Sequence, residues 1–231
     1  MQSKIFASII ISLVLMTSVW AIEPPGWVNL GELAETQVRD ILEIPATNIL
    51  VACGFCDWSF HHDGHICRST DGGQNWTTVL EAGNYFAQLD RDSVSGRIWA
   101  VRASSGANTL YYSADTGRTW TGVTGPSSNP AVTGNTIEIV GNFVYFGGII
   151  GAPYDIALYR LNQTTLQWEA VAAYYQCDAI TRLKYHNNKL IVFARDRTQN
   201  RVRVFAHDPS ELDKIAEPIG KAQNSETKIG K

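Results

Sequence analysis

The pattern S-x-D-x-G-x-x-W occurs twice, as Ser69, Asp71, Gly73 and Trp76 and again as Ser113, Asp115, Gly117 and Trp120, 44 residues apart. A short acidic side chain ahead of a glycine accepts hydrogen bonds from the N–H groups of its own turn, the glycine supplies a positive φ, and the serine fixes the incoming strand. Each copy therefore reads as a hairpin turn. A decayed third copy ends at Trp168, with Leu161, Gln163 and Thr165 in place of Ser, Asp and Gly, and Val79, Val123 and Val171 follow the three tryptophans at one fixed distance. Trp27 adds one more tail. Tryptophans at 27, 76, 120 and 168 set a period of 44 to 49 residues, the length of a propeller blade built of four short strands, about 40 to 50 residues.

Enrichment in β-branched and aromatic residues places strands at 40–44, 49–54, 65–69 and 76–80 in the first period and at 86–89, 97–102, 109–113 and 120–123 in the second. The third holds 136–140, 142–147, 156–161 and 168–172, and the fourth 179–185, 189–194 and 201–206. No long helix competes. The expected fold class is all-β, a β-propeller of four or at most five four-stranded antiparallel blades over 22–219. Trp76, Trp120 and Trp168 are expected at equivalent positions, each starting an outer strand and largely buried. The fourth period lacks a closing strand, and 27–30 is the candidate to complete it, because an open strand edge invites aggregation. Residues 220–231 read as a polar tail.

Composition narrows the partners. With 19 Lys and Arg against 22 Asp and Glu, the chain has no basic field to release counterions from nucleic acid, which argues against that partner. Lys4 is followed by an apolar run over 5–16 and by small residues at Val19 and Ala21, the pattern of a secretory signal peptide over 1–21 cleaved before Ile22. The run is shorter than the ~20 residues that span a bilayer. A secreted or extracytoplasmic protein with no membrane partner after cleavage is expected.

Secretion permits disulfides. The four cysteines are Cys53, Cys56, Cys67 and Cys177, and a chain reversal near Phe60 and His61 would set Cys53 opposite Cys67 and leave Cys56 for Cys177. Thiols and imidazoles at short spacing in the same window also suit zinc, but an oxidising compartment favours the disulfide, so no metal or other cofactor is expected. Asn75 and Asn162 begin glycosylation sequons. Asn162 is the better candidate, because Asn75 stands inside a tight turn.

The two intact repeats resemble the Asp-boxes, or bacterial neuraminidase repeats, of the sialidase superfamily of β-propellers, and the resemblance covers 27–172. It implies structural roles for Ser69, Asp71, Gly73, Trp76, Ser113, Asp115, Gly117 and Trp120, since sialidases, sortilin-type receptors, xyloglucanases and photosystem assembly factors share such turns. Glu43, Ile44 and Pro45 resemble the sialidase Arg-Ile-Pro segment, except that Glu43 stands where an arginine would grip the sialic carboxylate. Like charges oppose that binding, so no sialidase activity is expected. Arg68, Arg97, Arg102, Arg182 and Arg203 remain for a rearranged trio. For the catalytic parts that the resemblance implies, Asp57 and Asp63 match the acid/base by position, and Tyr174, Tyr175 and Tyr185 match the nucleophile by residue type alone.

The expected function is that of a secreted, sialidase-like, non-catalytic propeller that binds a glycan or an extracellular protein through its loop face. Trp58, Phe60, His61, His62 and His65, with Phe55, form the candidate surface, because sugars stack on aromatic rings. Packing between blades is the competing role for Phe55 and Trp58. The alternatives are a diverged exo-sialidase or other glycoside hydrolase, which would cluster carboxylates and tyrosine at the ring axis, and an assembly or scaffold factor, which would expose a broad apolar patch.

Overall fold

The computed structural model describes residues 33, 37–55, 63–104, 108–126, 132–149 and 155–210. The signal segment, the 27–30 strand, the whole 56–62 loop and the C-terminal tail lie outside them. Within the described residues the chain forms antiparallel strands that meander in sequence order. The first sheet is β1 (Gln37–Glu43), β2 (Leu50–Phe55), β3 (Asp63–Ser69) and β4 (Thr77–Gly83), and the second is β5 (Phe86–Arg91), β6 (Ile98–Arg102), β7 (Leu110–Ser113) and β8 (Thr121–Val123). The third is β9 (Thr133–Val140), β10 (Phe143–Ile149), β11 (Asp155–Asn162) and β12 (Trp168–Tyr175). A fourth unit, β13 (Ala179–His186), β14 (Lys189–Asp196) and β15 (Arg201–His207), is joined to the third at Ile149 and Ala179. Every strand expected within the described residues is present, with ends that differ by a few residues.

The side-chain pattern explains the layering. In β14, Leu190, Val192, Ala194 and Asp196 are buried and alternate with more open residues, the period of two that a sheet with one covered face requires. The second strands β2 and β6 are buried along nearly their whole length, and for β6 the reason is that the first and third sheets pack on its two faces. One apolar cluster, with Val51, Cys53, Ile66, Phe86 and Ile98, joins the first two sheets. Another, with Trp99, Ile137, Phe146, Leu158, Leu183 and Val192, joins the second, third and fourth. Each fully buried aliphatic side chain contributes about 1.5–3 kcal/mol.

The innermost strands β1, β5, β9 and β13 pack in succession. Backbone N–H groups on the edge of an inner strand that faces away from its own sheet need other partners, and side chains of the preceding sheet supply them. Leu89 N–H donates to Asp40 Oδ2 (2.9 Å), Ile137 to Gln88 Oε1 (3.2 Å), Ile139 to Asp90 Oδ2 (2.8 Å), Leu183 to Thr136 Oγ1 (3.2 Å) and Tyr185 to Glu138 Oε1 (2.8 Å). Donor and acceptor stand 47 to 49 residues apart in every rung. Among the described residues the extensive contacts run from one sheet to the next and do not return from β13–β15 to the first sheet.

Two expectations are corrected. Trp76 and Trp120 do stand at equivalent places, one residue ahead of β4 and β8, and Trp168 opens β12, but all three are only half-buried. Their position on the outer edge leaves one ring face open. The tryptophan that is fully enclosed is Trp99 on β6.

The second correction concerns Cys53 and Cys67, which do lie on neighbouring strands. The register pairs Cys53 with Ile66 and Ala52 with Cys67. Cross-strand partners share a face and successive residues alternate, so Cys53 points toward the second sheet while Cys67 points the other way, beside the Thr78 hydroxyl at 3.7 Å. A symmetric reversal about residue 60 is off by a single position, and one position exchanges the faces. Cys53, Cys67 and Cys177 are all buried thiols, and Cys56 lies outside the described residues.

Candidate functional site

Because the strands alternate in direction, the turns fall at two ends. The Asp-box turns share one end with the β5–β6, β9–β10 and β13–β14 turns, and the 56–62 loop shares the other with the β12–β13 and β14–β15 connections.

At the Asp-box end each motif is a closed set of local hydrogen bonds. Ser69 Oγ donates to Asp71 Oδ1 (2.8 Å) and accepts from Gly73 N–H (2.9 Å), while Asn75 donates to Asp71 through its N–H (2.9 Å) and Nδ2 (2.7 Å). In the second copy Ser113, Asp115, Gly117 and Thr119 repeat the arrangement. Gly73 and Gly117 take φ of 96° and 80°, where a Cβ is disfavoured. The indole N–H groups of Trp76 and Trp120 donate to the carbonyls of Gly73 (2.9 Å) and Gly117 (3.2 Å). Donation from the Asn75 side chain and N–H and from Ser69 holds the Asp71 carboxyl down at about 2. Burial pushes Asp115 upward, but Thr119 and Ser113 outweigh it and leave that group at about 2 as well. Asn75 already spends its Nδ2 on Asp71, whereas Asn162 accepts from Thr164 and Thr165 through Oδ1.

At the loop end, Asp57, Trp58, Phe60, His61 and His62 lie outside the described residues. Asp63 opens β3 in an exposed position. His65 is buried within β3 opposite Gly54 and Glu81, so it belongs to the sheet body. Phe55 packs between the first two sheets, 6.0 Å from the Tyr85 ring, and the Arg39 guanidinium lies over both rings at 5.5 and 4.9 Å.

The fourth unit brings a different group of residues to this end. Asp178 and Asp196 are fully buried. Asp178 receives both Nε (2.9 Å) and Nη2 (2.8 Å) of Arg195, together with Nε of Arg197 (2.8 Å). Asp196 accepts from Thr198 Oγ1 (2.6 Å) and from Arg203 through Nη2 (2.6 Å) and Nε (3.0 Å), with Arg201 Nε at 3.4 Å. The Thr198 hydroxyl and Arg203 hold the Asp196 carboxyl well below the ordinary range, and Asp178 raises the pKa of Arg195. Four guanidinium groups thus stand over two carboxylates. Arg197 and Arg201 are 57% and 53% exposed, which leaves guanidinium donors facing solvent. Sequence reading singled out Arg203 alone, although Arg195, Arg197, Arg201 and Arg203 fall within nine residues, the first two flanking Asp196.

The rearranged arginine trio does not assemble. Arg68 donates to the Thr116 carbonyl (2.8 Å), Arg97 to the Gln163 carbonyl (2.8 Å), Arg102 lies over Tyr111 at 5.8 Å, and Arg203 holds Asp196. Glu43 is exposed at the Asp-box end of β1. Tyr174 is buried, and desolvation raises its pKa far above that of a free phenol, which disfavours a nucleophilic role. Tyr185 is half-buried and donates to Asn188 Oδ1 at 3.4 Å.

No family model matches the sequence, and no curated protein matches it. Solved structures do. The GH74 xyloglucanase from Xanthomonas campestris superposes with a TM-score of 0.56 at 17% identity, over 75% of this chain and 28% of that one. An ancestral GH74 enzyme gives 0.60 at 15% identity, over 82% and 26%, and YCF48 bound to D1 peptide gives 0.54 at 15%, over 80% and 53%. The fold is a β-propeller. These neighbours are propellers of the Asp-box type, and at such identities they speak for the fold alone. The chain spans about a quarter of the GH74 chains and about half of the YCF48 chain.

Proposed function

We propose that this chain is a secreted, non-catalytic Asp-box propeller that binds an acidic glycan through its loop face. The observation that carries the reading is the blade-four arginine group, in which Arg195 and Arg203 are locked on buried carboxylates and Arg197 and Arg201 keep exposed donors. Guanidinium groups recognise carboxylate and sulfate through paired hydrogen bonds, and pinning the neighbours on buried aspartates reduces the entropy lost on binding. A polysaccharide-directed name among the structural neighbours, xyloglucanase, agrees with a glycan ligand. The D1 peptide named with YCF48 makes a peptide the competing ligand.

The experiment is an array of acidic and neutral glycans beside acidic peptides, probed with the secreted protein and with an Arg197→Ala/Arg201→Ala variant. The reading expects salt-sensitive binding to uronate-containing or sulfated glycans, weakened about tenfold or more by the variant. Binding confined to peptides, or binding indifferent to the variant, overturns it. A fluorogenic sialoside assayed in parallel should show no turnover, and turnover abolished by Asp63→Asn would establish the enzymatic alternative. N-terminal sequencing of the exported protein should begin at Ile22.

A further inference from the structure

The Asp-box end carries a cleft of its own. It opens between the third and fourth units with a volume of about 560 Å³, inside the range of roughly 300–1,000 Å³ common to small-molecule sites. Its walls include Asn142, Phe143 and Tyr145 around the β9–β10 turn, Tyr185 and Asn188 around the β13–β14 turn, and Asp208 beyond β15.

These side chains form an unusual mixture for a gap between blades. Phe143 and Tyr185 are half-buried rings, and Asn142, Asn188 and Asp208 are exposed. Arg160 lies over the Phe143 ring at 4.2 Å and is itself tied to Glu169 at 2.6 Å. Its charge is therefore balanced within the wall. Asp208 Oδ1 accepts from the Ser210 N–H (2.9 Å) and Oγ (2.6 Å), which orients the carboxylate. Tyr145 is 1% exposed, and its hydroxyl lies beside the Arg160 guanidinium, which fixes the ring at the back of the cleft.

A sugar ring presents apolar C–H groups on its faces and hydroxyls around its edge, and it needs aromatic surface together with groups able both to donate and to accept. Phe143 and Tyr185 offer the first, and the Asn188 amide offers the second, since the Asn142 amide is bonded to Asn162 and Thr164. The Asp208 carboxylate adds an acceptor and repels anions, and none of the described residues that line the cleft is cationic. We infer that this cleft is a second binding site, separate from the loop face, for a neutral saccharide of one or two rings.

Isothermal titration of the secreted protein with cellobiose, xylobiose, lactose and maltose tests the inference. At least one disaccharide should bind, and Tyr185→Ala should weaken it about tenfold while Tyr185→Phe, which keeps the ring, should not. Asn188→Ala should weaken the same ligand. The Arg197→Ala/Arg201→Ala variant should leave this binding intact, so failure of the loop-face reading and failure of this one are told apart. No heat from any of the four sugars up to about 10 mM, or binding that survives both Tyr185→Ala and Asn188→Ala, overturns it. A thermal melt of each variant equal to that of the parent confirms that the fold is retained.

Discussion

The β7–β8 turn and the β11–β12 turn occupy the same place in consecutive blades and are held in opposite ways. In blade two, Ser113, Asp115 and Thr119 satisfy one another and their own backbone. In blade three the position of the aspartate is taken by Gln163, whose carboxamide leaves the turn altogether. Its Oε1 accepts the indole N–H of Trp99 (2.9 Å) in the neighbouring blade, its Nε2 donates to the Gly141 carbonyl (3.1 Å), and its carbonyl accepts from Arg97 (2.8 Å). Asn162, one residue earlier, takes over the local work by accepting from Thr164 and Thr165. The third tryptophan follows suit, since Trp168 donates to the Thr124 carbonyl of blade two (2.8 Å) where its counterparts donate within their own turns. Both turns take an arginine from the preceding blade on a carbonyl, Arg68 on Thr116 and Arg97 on Gln163, but only where the motif is absent do the side chain at the aspartate position and the tryptophan also reach into the neighbouring blade, as an inter-blade joint.

This contrast predicts where damage spreads. The largest effect belongs to Trp99, which is fully enclosed at the joint, and Trp99→Ala should cost about 3–5 kcal/mol. Trp120→Ala, which removes a half-buried ring from an intact Asp-box turn, should cost about 1–2 kcal/mol. Equal costs in urea unfolding would erase the distinction between joint and turn. Gln163→Leu comes next. It leaves the Trp99 N–H buried without its acceptor and should cost about 1–3 kcal/mol, with faster hydrogen exchange in both β6 and β12. Exchange changed only within 163–167 would show the turn to be local after all.

The smallest effect is one of acidity. Asp71 and Asp115 are held near 2, below the ordinary value of 3.8, so their contribution is present above about pH 4 and is lost as the pH falls toward 2. The amides of Asn75 and Thr119 should lose protection across that window while those of Thr164 and Thr165, held by the uncharged Asn162, should not. Parallel loss in all three turns would mean that global acid unfolding, rather than the carboxylates, governs them.

The same division explains what could be read in advance. Strands and Asp-box turns were legible because their determinants lie within about eight residues of one another and in residue types with one physical use. The inner rungs were not. Asp40, Gln88, Asp90, Thr136 and Glu138 perform one task with three side-chain chemistries, and each meets its donor 47 to 49 residues later. The pairing of Cys53 was missed because a single-residue register step inverts the face, and turn length alone does not set that step. The arginine group was within reach, as a short Arg run about Asp196, but Asp178 enters it from another strand.

Those inner rungs also impose an order in time. A ribosome delivers the acceptor of every rung before its donor, so Asp40 is made 49 residues ahead of the Leu89 N–H that will occupy it. On its inner edge, a partly synthesised chain therefore ends in a blade whose unused rung groups are carboxylates, amides and hydroxyls, all well hydrated in water. Its strand N–H groups are already covered by the blade before. Reversing the polarity would leave each nascent blade with a bare row of strand donors, which is the surface that recruits other chains. The direction of the rungs means that the inner edge of each newest blade meets water with side-chain acceptors in place of bare strand donors.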